Sequence, residues 1–433
     1  MQELLNFLNN SVTPYQAVKE MEKMLVAASF TKIDPSNIGL LKEGGNYYLI
    51  KDETSLIALK MGEKKHFNGF NIVATHTDSP TLKIKPIARI INKEYEMLNV
   101  EVYGGPIIST LFDRVMSIAG RVIVKKNSEN GVTLESRLLN IDEDLLIIPS
   151  VAIHLMRDNS QNALNPQVDL LPLLGFKTNK DFETFLGEKA KISKDEKIIS
   201  YDLFLYNREK AKLIGASKEF IASARIDNLE STYLCLKSLI DSDNKNKVNI
   251  FVAFNNEEVG SRTKNGAAST FLSDIIDVVQ ESLNITKTEL FEKLSSSFIV
   301  SCDNAHAIHP NHTEKADPTN YVEMNKGIVI KHNASTAYTT DGISCGIFKA
   351  ILEDNDVPYQ HYTNRSDQRG GSTLGAISLA KVSINSIDIG LAQLAMHSMY
   401  ETAGSKDPEY LLKGVKAFYN SNITYSLDKY KID

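Results

Sequence analysis

Short apolar runs that alternate with amphipathic segments constrain the fold of this chain more than any other feature. After Ser223, runs such as VNIFVAF, SSFIVSC, GIVIKH and INSIDIG alternate with segments of helical periodicity, which predict helices over 229–241, 341–353 and 391–401. Apolar runs of strand length between helices are typical of a sheet that helices cover. The run at 71–75 would join this sheet, so we predict an α/β fold with a mixed sheet.

The middle of the chain has a different pattern. It begins with alternating segments, EYEMLNVEVYGG, RVIVKK and VTLESRLLN, and continues with a loop-rich stretch before a charged, helical segment between Asn179 and Lys197. A chain of 433 residues is too long for one simple core, so more than one domain is expected. We therefore predict an α/β domain of residues 1–85 and 224–433, split by an inserted β-rich domain of residues 86–223.

Charge and hydropathy exclude several classes of partner. The formal net charge of −6 gives no electrostatic basis for binding nucleic acid or an anionic membrane. No apolar run approaches the roughly 18 residues of a membrane-spanning helix, and the N-terminal sequence MQELLNFLNN is polar, unlike a secretory signal. We therefore expect a cytoplasmic protein without a nucleic-acid or membrane partner.

The cysteines make a disulfide framework unexpected. The three of them, Cys235, Cys302 and Cys345, lie far apart in the sequence and form no Cys-x-x-Cys motif. A thiolate zinc site is not expected for the same reason. Any metal ion would then be held by His, Asp and Glu side chains.

Each of five apolar runs is followed by an acidic or imidazole side chain. In chain order these are His76 with Asp78, Asp227, Glu257 with Glu258, Asp303 and, in the helix expected after INSIDIG, His397. Ligands of α/β sheets bind beyond the carboxyl ends of the strands, so we expect these side chains to share one site. Carboxylates and imidazoles together suit two divalent cations, Zn²⁺ or alternatively Co²⁺ or Mn²⁺. The adjacent glutamates can divide two tasks, one as a metal ligand and the other as the base that accepts a proton from water.

Each of these residues also has an ordinary structural interpretation. His76 and Asp78 would form a hydrogen-bonded pair at a strand end, and the D-x-x-E sequence from Asp227 fits a helix capping box. The adjacent glutamates would be a solvated pair, Asp303 would cap a turn, and His397 would be a helix histidine. The joint interpretation is stronger, because five separate accidents would otherwise have to follow five apolar runs.

Several segments also match a known family, in the same order and over nearly the whole chain. They are ATHTDSPTLKIKP, ARIDNLEST, FNNEEVGSRTKNGA, SCDNAHAIHPN, GIVIKH, GGSTLGAIS and DIGLAQLAMHSMYET, with IPSVAIHL and NPQ in the middle region. With these motifs the chain resembles the aspartyl aminopeptidases of metallopeptidase family 18. The resemblance implies a dinuclear metallopeptidase domain of mixed-sheet α/β fold with an inserted β-rich dimerisation domain.

The resemblance implies a role for each candidate residue. It gives five metal ligands for two Zn²⁺ ions per subunit, namely His76, Asp227, Glu258, Asp303 and His397. Asp227 would bridge the two ions, Glu257 would be the general base, and Asp78 would orient His76. His154 of the inserted domain would reach the site of a neighbouring subunit, and Lys331 would lie near an acidic substrate side chain.

The implied activity is the removal of single N-terminal residues from peptides, with a preference for Asp or Glu. The family assembles as dodecamers built from dimers, so a homo-oligomer is expected. Two alternatives remain open: another hydrolase on the same dinuclear scaffold, such as a deacylase or a glucanase-like enzyme, or a catalytically inactive assembly protein. The peptidase interpretation is favoured because the AIHL and NPQ segments and every implied ligand are present.

Overall fold

The chain separates into two compact units, described from a computed structural model of residues 1–128, 131–155, 164–368, 370, 371, 375, 377 and 381–433. The first unit comprises residues 1–78, 211–396 and 401–433, and the second comprises residues 79–210 and 397–400. Part of the GGSTLGAIS motif, at 372–374, 376 and 378, lies outside the described residues.

Strands account for most of the regular structure. In chain order they are β1 (Thr31–Lys32), β2 (Asn46–Lys51), β3 (Ser55–Lys60), β4 (Phe70–His76), β5 (Thr81–Asn92), β6 (Tyr95–Tyr103), β7 (Met116–Ser128), β8 (Gly131–Asn140), β9 (Leu173–Phe176), β10 (Glu196–Asn207), β11 (Lys212–Ile214), β12 (Phe220–Ser223), β13 (Val248–Phe254), β14 (Phe298–Cys302), β15 (Ala305–His306), β16 (Ile328–Lys331), β17 (Tyr359–Tyr362), β18 (Asn385–Gly390), β19 (Ala392–Leu394), β20 (Glu401–Gly404), β21 (Ile423–Ser426) and β22 (Lys429–Ile432).

Helices lie between these strands, mainly in the first unit. They are α1 (Gln2–Asn10), α2 (Pro14–Ala27), α3 (Pro166–Asp169), α4 (Phe182–Lys189), α5 (Ile226–Ile240), α6 (Phe271–Ser282), α7 (Lys287–Leu294), α8 (Gly342–Asp354) and α9 (Asp407–Asn420). Short 3₁₀ turns occur at Lys64–His66, Ile108–Leu111, Ile153–Leu155, Glu257–Val259 and Thr313–Lys315. Among the described residues, no helix combines the length and apolar character needed to cross a membrane.

A mixed sheet forms the centre of the first unit. Its described strands have the order β1-β2-β3-β13-β4-β14-β18-β16-β17. The four neighbours β13, β4, β14 and β18 run parallel, whereas β3 and β16 flank them antiparallel. A second sheet of this unit has the order β11-β12-β20-β19-β15. The α/β fold with a mixed sheet, predicted from the alternating pattern, is therefore confirmed.

Alternate side chains of the central strands enter two separate apolar cores. Val73, Phe251 and Val300 pack in one core with residues of α5, and their neighbours Ile72 and Ile250 pack in the other with residues of α6. A parallel strand that is covered on both faces is apolar along its whole length, which is why these segments are continuous apolar runs in the sequence. Each fully buried side chain of this kind contributes about 1.5–3 kcal/mol to folding, so the strand ends are held in fixed positions.

The second unit is built on an antiparallel sheet of order β8-β7-β10-β5-β6-β9. Its core includes Leu82, Ile118 and Leu203, and α4 contributes Phe182 and Leu186. At 81–85 in β5 and 95–101 in β6, buried side chains alternate with partly or fully exposed ones, as expected of a sheet with one solvated face.

The limits of the second unit differ from those of the predicted insertion, 86–223. The unit begins at residue 79, because β5 already pairs with β6 from Thr81 onward. It ends at residue 210, because β12 pairs with β20 of the first unit. Dimerisation through this unit stays a prediction.

The helix predicted at 391–401 is wrong. Residues Ala392–Leu394 form β19, which pairs with β15 and β20, and β20 begins at Glu401. The spacing of apolar residues in LAQLAMHSMY imitates a helix, but pairing with strands distant in sequence determines the conformation. His397 therefore lies in a turn and not in a helix.

Candidate active site

Three adjacent parallel strands of the first unit deliver candidate residues to one edge of the sheet. His76 is the last residue of β4, and Asp78 follows two residues later. Glu257 and Glu258 come after β13, and Asp303 comes directly after β14. Because β13, β4 and β14 are parallel neighbours, their carboxyl ends meet, as the sequence predicted.

Asp78 fixes the position of the two glutamates. The backbone N–H of Glu257 donates to Asp78 Oδ1 at 3.1 Å, and the N–H of Glu258 donates to Asp78 Oδ2 at 3.2 Å. The preceding residue, Asn256, has a φ of 62°, a left-handed conformation that Asn tolerates better than most residues. The buried carboxylate of Asp78 thus orders the turn that carries both glutamates.

His76 presents one ring nitrogen to the acidic side chains. Its Nδ1 lies 3.0 Å from the backbone carbonyl oxygen of Asp78, and a carbonyl oxygen only accepts, so Nδ1 donates. Its Nε2 lies 3.4 Å from Asp303 Oδ1 and 3.5 Å from Asp227 Oδ1. This orientation, with Nδ1 held by the protein and Nε2 facing carboxylates, is typical of a metal-binding histidine.

Asp227 is positioned by the first turn of α5. Its backbone is not helical (φ −76°, ψ 110°), and its N–H donates to Glu401 Oε2 at 3.1 Å. Asn228 donates from its side chain to the carbonyl oxygen of Cys302 at 2.7 Å, which ties this turn to the end of β14. The capping-box interpretation is wrong, because Arg225 is at the N-cap without a side-chain capping bond and Glu230 is completely buried.

Lys331 contributes a positive charge to the same site. Its side chain is 2% exposed, and its Nζ lies 3.7 Å from Asp303 Oδ2. Its Nζ also lies 5.3 Å from the centre of the Tyr338 ring. The backbone of Asp303 packs closely against Gly390 of β18. A Cβ atom at position 390 would come within 1.9 Å of the Asp303 carbonyl oxygen, so only glycine fits there.

His397 and His154 belong to the second unit. His397 has a φ of 68°, and its Nδ1 lies 3.0 Å from the carbonyl oxygen of Gly105. Nδ1 must donate to that carbonyl, which leaves Nε2 unprotonated in the neutral ring. His154 lies exposed in the 3₁₀ turn Ile153–Leu155. The metal-binding role of His397 and the substrate-binding role of His154 both stay predictions.

Burial and crowding shift the protonation of the acidic side chains. Burial raises the pKa of Glu257 to about 8, with Asp303, Asp78 and Asp227 contributing in the same direction. Burial and the neighbouring Asp227 likewise hold the pKa of Glu258 well above its usual value. The two glutamates are therefore not the solvated pair that the structural interpretation would require.

The pKa values of the two basic side chains are raised as well, in their case by the neighbouring carboxylates. Burial alone would lower the pKa of His76, but hydrogen bonds with Asp227, Asp303 and Asp78 raise it well above its usual value. Burial opposes the charge of Lys331, but the nearby Asp303 raises its pKa. Within the first unit, five carboxylates thus converge on two basic side chains.

The spacing of these groups fits divalent cations. One ligand atom each of His76, Asp227 and Asp303 lies within 4.8 Å of the others, and the same holds for His76, Glu257 and Glu258. Imidazole nitrogen and carboxylate oxygen are ligands that Zn²⁺ accepts, and the excess of negative charge favours cation binding. The donor set therefore fits the metal ions that the resemblance implies.

Sequence reasoning missed the residues that support the ligands. Glu401 accepts from the Asp227 N–H, and Gln393 donates to Glu401 at 3.3 Å while accepting from Asn304 at 2.7 Å. Ser231 completes this network by donating to Asn304 at 2.8 Å. Both Gln393 and Glu401 lie inside the matched segment DIGLAQLAMHSMYET, which was the one available signal.

Comparison with known proteins identifies the family of this chain. The model of the family described as aminopeptidase I zinc metalloprotease (M18) matches residues 7–419. A protein of Clostridium novyi named "Probable M18 family aminopeptidase 2" is 43% identical over 426 residues, covering 96% of this chain and 98% of its own length. A protein of Ricinus communis named "Probable aspartyl aminopeptidase" is 31% identical over 462 residues, covering 96% of this chain and 94% of its own.

The fold agrees as well. A chain in a cryo-EM structure of the Ape4 and Nbr1 complex is 34% identical, covers 96% of this chain and 85% of its own length, and superposes with a TM-score of 0.90. The resemblance found in the sequence motifs is therefore confirmed over nearly the whole chain. The chain belongs to the M18 family of zinc metalloproteases and is an aminopeptidase.

Proposed function

We propose that this aminopeptidase uses two divalent metal ions and prefers peptides with an acidic N-terminal residue. The observation that carries the proposal is the convergence of five carboxylates and an imidazole at the ends of β4, β13 and β14 and at the first turn of α5. The proposed ligands are the five expected from the sequence, His76, Asp227, Glu258, Asp303 and His397. When bound, two such ions supply a nucleophilic water at neutral pH and a Lewis acid for the scissile carbonyl.

Glu257 is the proposed general base. Glu257 is adjacent to the proposed ligand Glu258 and is not itself a proposed ligand, so its carboxylate can serve in proton transfer. Glu257 would take the proton of the attacking water and pass it to the leaving amine. Asp78 accepts a hydrogen bond from the N–H of Glu257, and its Oδ1 lies 3.6 Å from His76 Nδ1. Asp78 therefore acts as a positioning residue for both side chains.

The preference for acidic residues rests on two observations. The Ricinus communis relative carries the name of an aspartyl aminopeptidase, and the buried Lys331 places a positive charge beside the proposed metal ligands. Such a charge favours a substrate carboxylate in a site from which water is excluded. The strictness of the preference depends on how far Asp303 neutralises Lys331.

A matched substrate series tests the proposal. We expect aminoacyl substrates with N-terminal Asp and Glu to be cleaved with a higher kcat/KM than their neutral counterparts Asn and Gln, by about tenfold or more for each desolvated charge contact. Equal rates within each pair would refute the acidic preference but not the aminopeptidase. Hydrolysis of N-acetylated counterparts at a comparable rate would instead favour the alternative deacylase activity.

We also propose a homo-oligomer built from dimers, a dodecamer by the family resemblance, in the cytoplasm. Strand β8 lies at the edge of its sheet and exposes Val132, Leu134 and Leu138. Exposed apolar side chains on an edge strand are typical of a surface that another chain covers. The mass of the particle in solution tests this proposal, and a monomer at micromolar concentration would refute it.

A further inference from the structure

A second cluster of metal-binding side chains lies in the first unit, outside the proposed catalytic centre. His332 follows β16, His361 lies in β17, and Cys345 lies in the first turns of α8. His332 Nε2 is 2.9 Å from His361 Nδ1. One ligand atom of each of the three residues lies within 4.8 Å of the other two. The three residues are 13 or more positions apart in sequence, so no local motif announces the cluster.

Rigid elements hold the three side chains. Strands β16 and β17 are parallel neighbours, and the N–H of His332 continues their ladder by donating to the carbonyl oxygen of Tyr362 at 2.9 Å. Helix α8 begins with a reciprocal capping box between Asp341 and Ser344, and the N–H of Cys345 donates to the Asp341 carbonyl at 3.0 Å. A site built on strands and a capped helix needs little rearrangement to bind an ion.

The protonation of the cluster suits metal binding. Burial lowers the pKa of His332, with His361 contributing, and burial lowers the pKa of His361, with Lys349 contributing. Both imidazoles are therefore neutral at physiological pH, the form that binds a metal. In the absence of an ion, the short contact between them is an ordinary N–H···N hydrogen bond, which is the alternative explanation of the geometry.

The chemistry of the donor atoms restricts the ion. Two imidazole nitrogens and a thiolate suit Zn²⁺ and other late transition metals and do not suit Mg²⁺ or Ca²⁺, which require oxygen. All three side chains are half-buried, so a water molecule can supply a fourth ligand. Burial raises the pKa of the Cys345 thiol, and Lys349, one turn later on α8, only partly opposes this rise. The thiolate therefore forms when a bound ion displaces the proton. The sequence analysis expected no cysteine among the metal ligands, and Cys345 would be the exception.

We propose that His332, His361 and Cys345 bind one Zn²⁺-type transition-metal ion, additional to the ions of the catalytic centre. The inference does not depend on the roles proposed for Glu257 or His397, because none of the three residues belongs to that centre. The thiolate makes the site distinguishable, since none of the five proposed catalytic ligands contains sulfur.

Cobalt titration tests the site directly. Co²⁺ added to the metal-free protein should give a near-ultraviolet thiolate-to-cobalt charge-transfer band. The final intensity of the band should correspond to one thiolate-bound ion per chain, and the band should stop growing once the three proposed sites are filled. The variant Cys345→Ala should lack this band and bind one ion fewer, and His361→Ala should weaken the band. The matched control Cys235→Ala, which removes a buried cysteine of α5, should keep both the band and the stoichiometry.

The peptidase activity of the same variants distinguishes the additional site from the catalytic centre. The Cys345→Ala variant should cleave peptides at the wild-type rate, because the catalytic ligands are intact. A wild-type protein without a thiolate band, or a band of equal intensity in Cys345→Ala, would overturn the proposal and leave the hydrogen-bonded histidine pair as the explanation. Either result would leave the proposed two-metal catalytic centre unaffected.

Discussion

The acidic side chains of the two units are stabilised in opposite ways. In the second unit, Asp202 lies 3.0 Å from Lys83 Nζ and 3.1 Å from Arg121 Nε, and Glu196 accepts from Arg137 at 2.9 Å. At the candidate active site of the first unit, five carboxylates converge, and His76 and Lys331 provide basic contacts to this cluster. The second unit balances its own charges, whereas the catalytic centre accumulates negative charge that a bound cation can neutralise.

The pKa values show the same contrast. Burial alone would raise the pKa of Asp202, but Lys83 and Arg121 lower it. The hydrogen bond from Arg137 lowers the pKa of Glu196 to about 2. In the catalytic centre, burial raises the pKa of Glu257 to about 8. Acidic side chains with raised pKa values cluster at functional sites, and these are the groups that a metal ion would deprotonate.

The largest effect is expected from neutralising the proposed bridging carboxylate. Asp227→Asn should remove metal binding and with it nearly all activity, because in the proposed centre this one side chain serves both ions. The metal-free variant should remain folded, since one of several crowded negative charges is removed. Metal content per folded chain is the measurement, with Asp241→Asn at the other end of α5 as the control. Wild-type metal content in Asp227→Asn would contradict the bridging role.

Replacing the proposed base should separate metal binding from turnover. Glu257→Gln spares the ligands but cannot accept a proton, so kcat should fall by about 10²–10⁴-fold while the metal content stays unchanged. Single-turnover rates and metal content are measured on the same sample. A rate within a few-fold of wild type would exclude Glu257 as the base and leave Glu258 as the other candidate.

A residue of the second unit should affect turnover without affecting the metal. If His154 donates a hydrogen bond to a neighbouring subunit's substrate, His154→Phe should lose about 10²–10³-fold in kcat and keep its metal ions. Mixed oligomers of His154→Phe and Glu257→Gln should regain activity, because some sites combine an intact Glu257 with an intact His154 from the neighbour. With subunit exchange demonstrated, a failure to regain activity would exclude donation between subunits.

The smallest effect is expected from an Asp-to-Asn substitution in the second unit, where acidic side chains are paired with basic ones. Asp202→Asn loses its pairing with Lys83 and Arg121 at a partly exposed position, which should cost about 1 kcal/mol or less of the free energy of unfolding. Metal content and kcat should match wild type. Denaturant unfolding of Asp202→Asn and of Asp227→Asn compares the same Asp-to-Asn change in the two surroundings. If both variants lost their metal ions, the difference proposed between the acidic side chains of the two units would be contradicted.

Much of the centre was predictable because its strands are continuous apolar runs. The runs that become β4, β13 and β14 end next to His76, Glu257 and Asp303, and the rule for parallel strands then brings those ends together. The helices α5 and α8 were predicted within a few residues from periodicity alone. Local sequence was sufficient to predict those strands and helices whose own pattern of apolar residues determines their conformation.

Contacts between distant segments could not be predicted in this way. The segment that carries Gln393 resembles a helix, but it pairs as β19 with strands on either side. Glu230 matched a capping box and is instead completely buried. Lys331, at the end of β16, reaches Asp303 although β18 lies between β16 and β14 in the sheet. The meeting of Cys345 with two histidines depends on how α8 packs beside β17. Each case depends on tertiary packing that one-dimensional patterns do not contain.

The pH dependence of metal stabilisation tests the central claim most directly. A carboxyl whose pKa is raised from about 4.5 to about 8 on folding makes the metal-free protein less stable as the pH rises through that interval, because the unfolded chain loses the proton first. The pKa values of the proposed ligands Glu258 and His76 are raised as well, and metal binding must displace their protons, so it tightens as the pH rises. The increase in Tm on loading with Zn²⁺ should therefore be larger at about pH 8 than at about pH 5, and much smaller in Asp227→Asn. An increase that is independent of pH, or equally large in Asp227→Asn, would contradict the account of the acidic cluster as a metal centre.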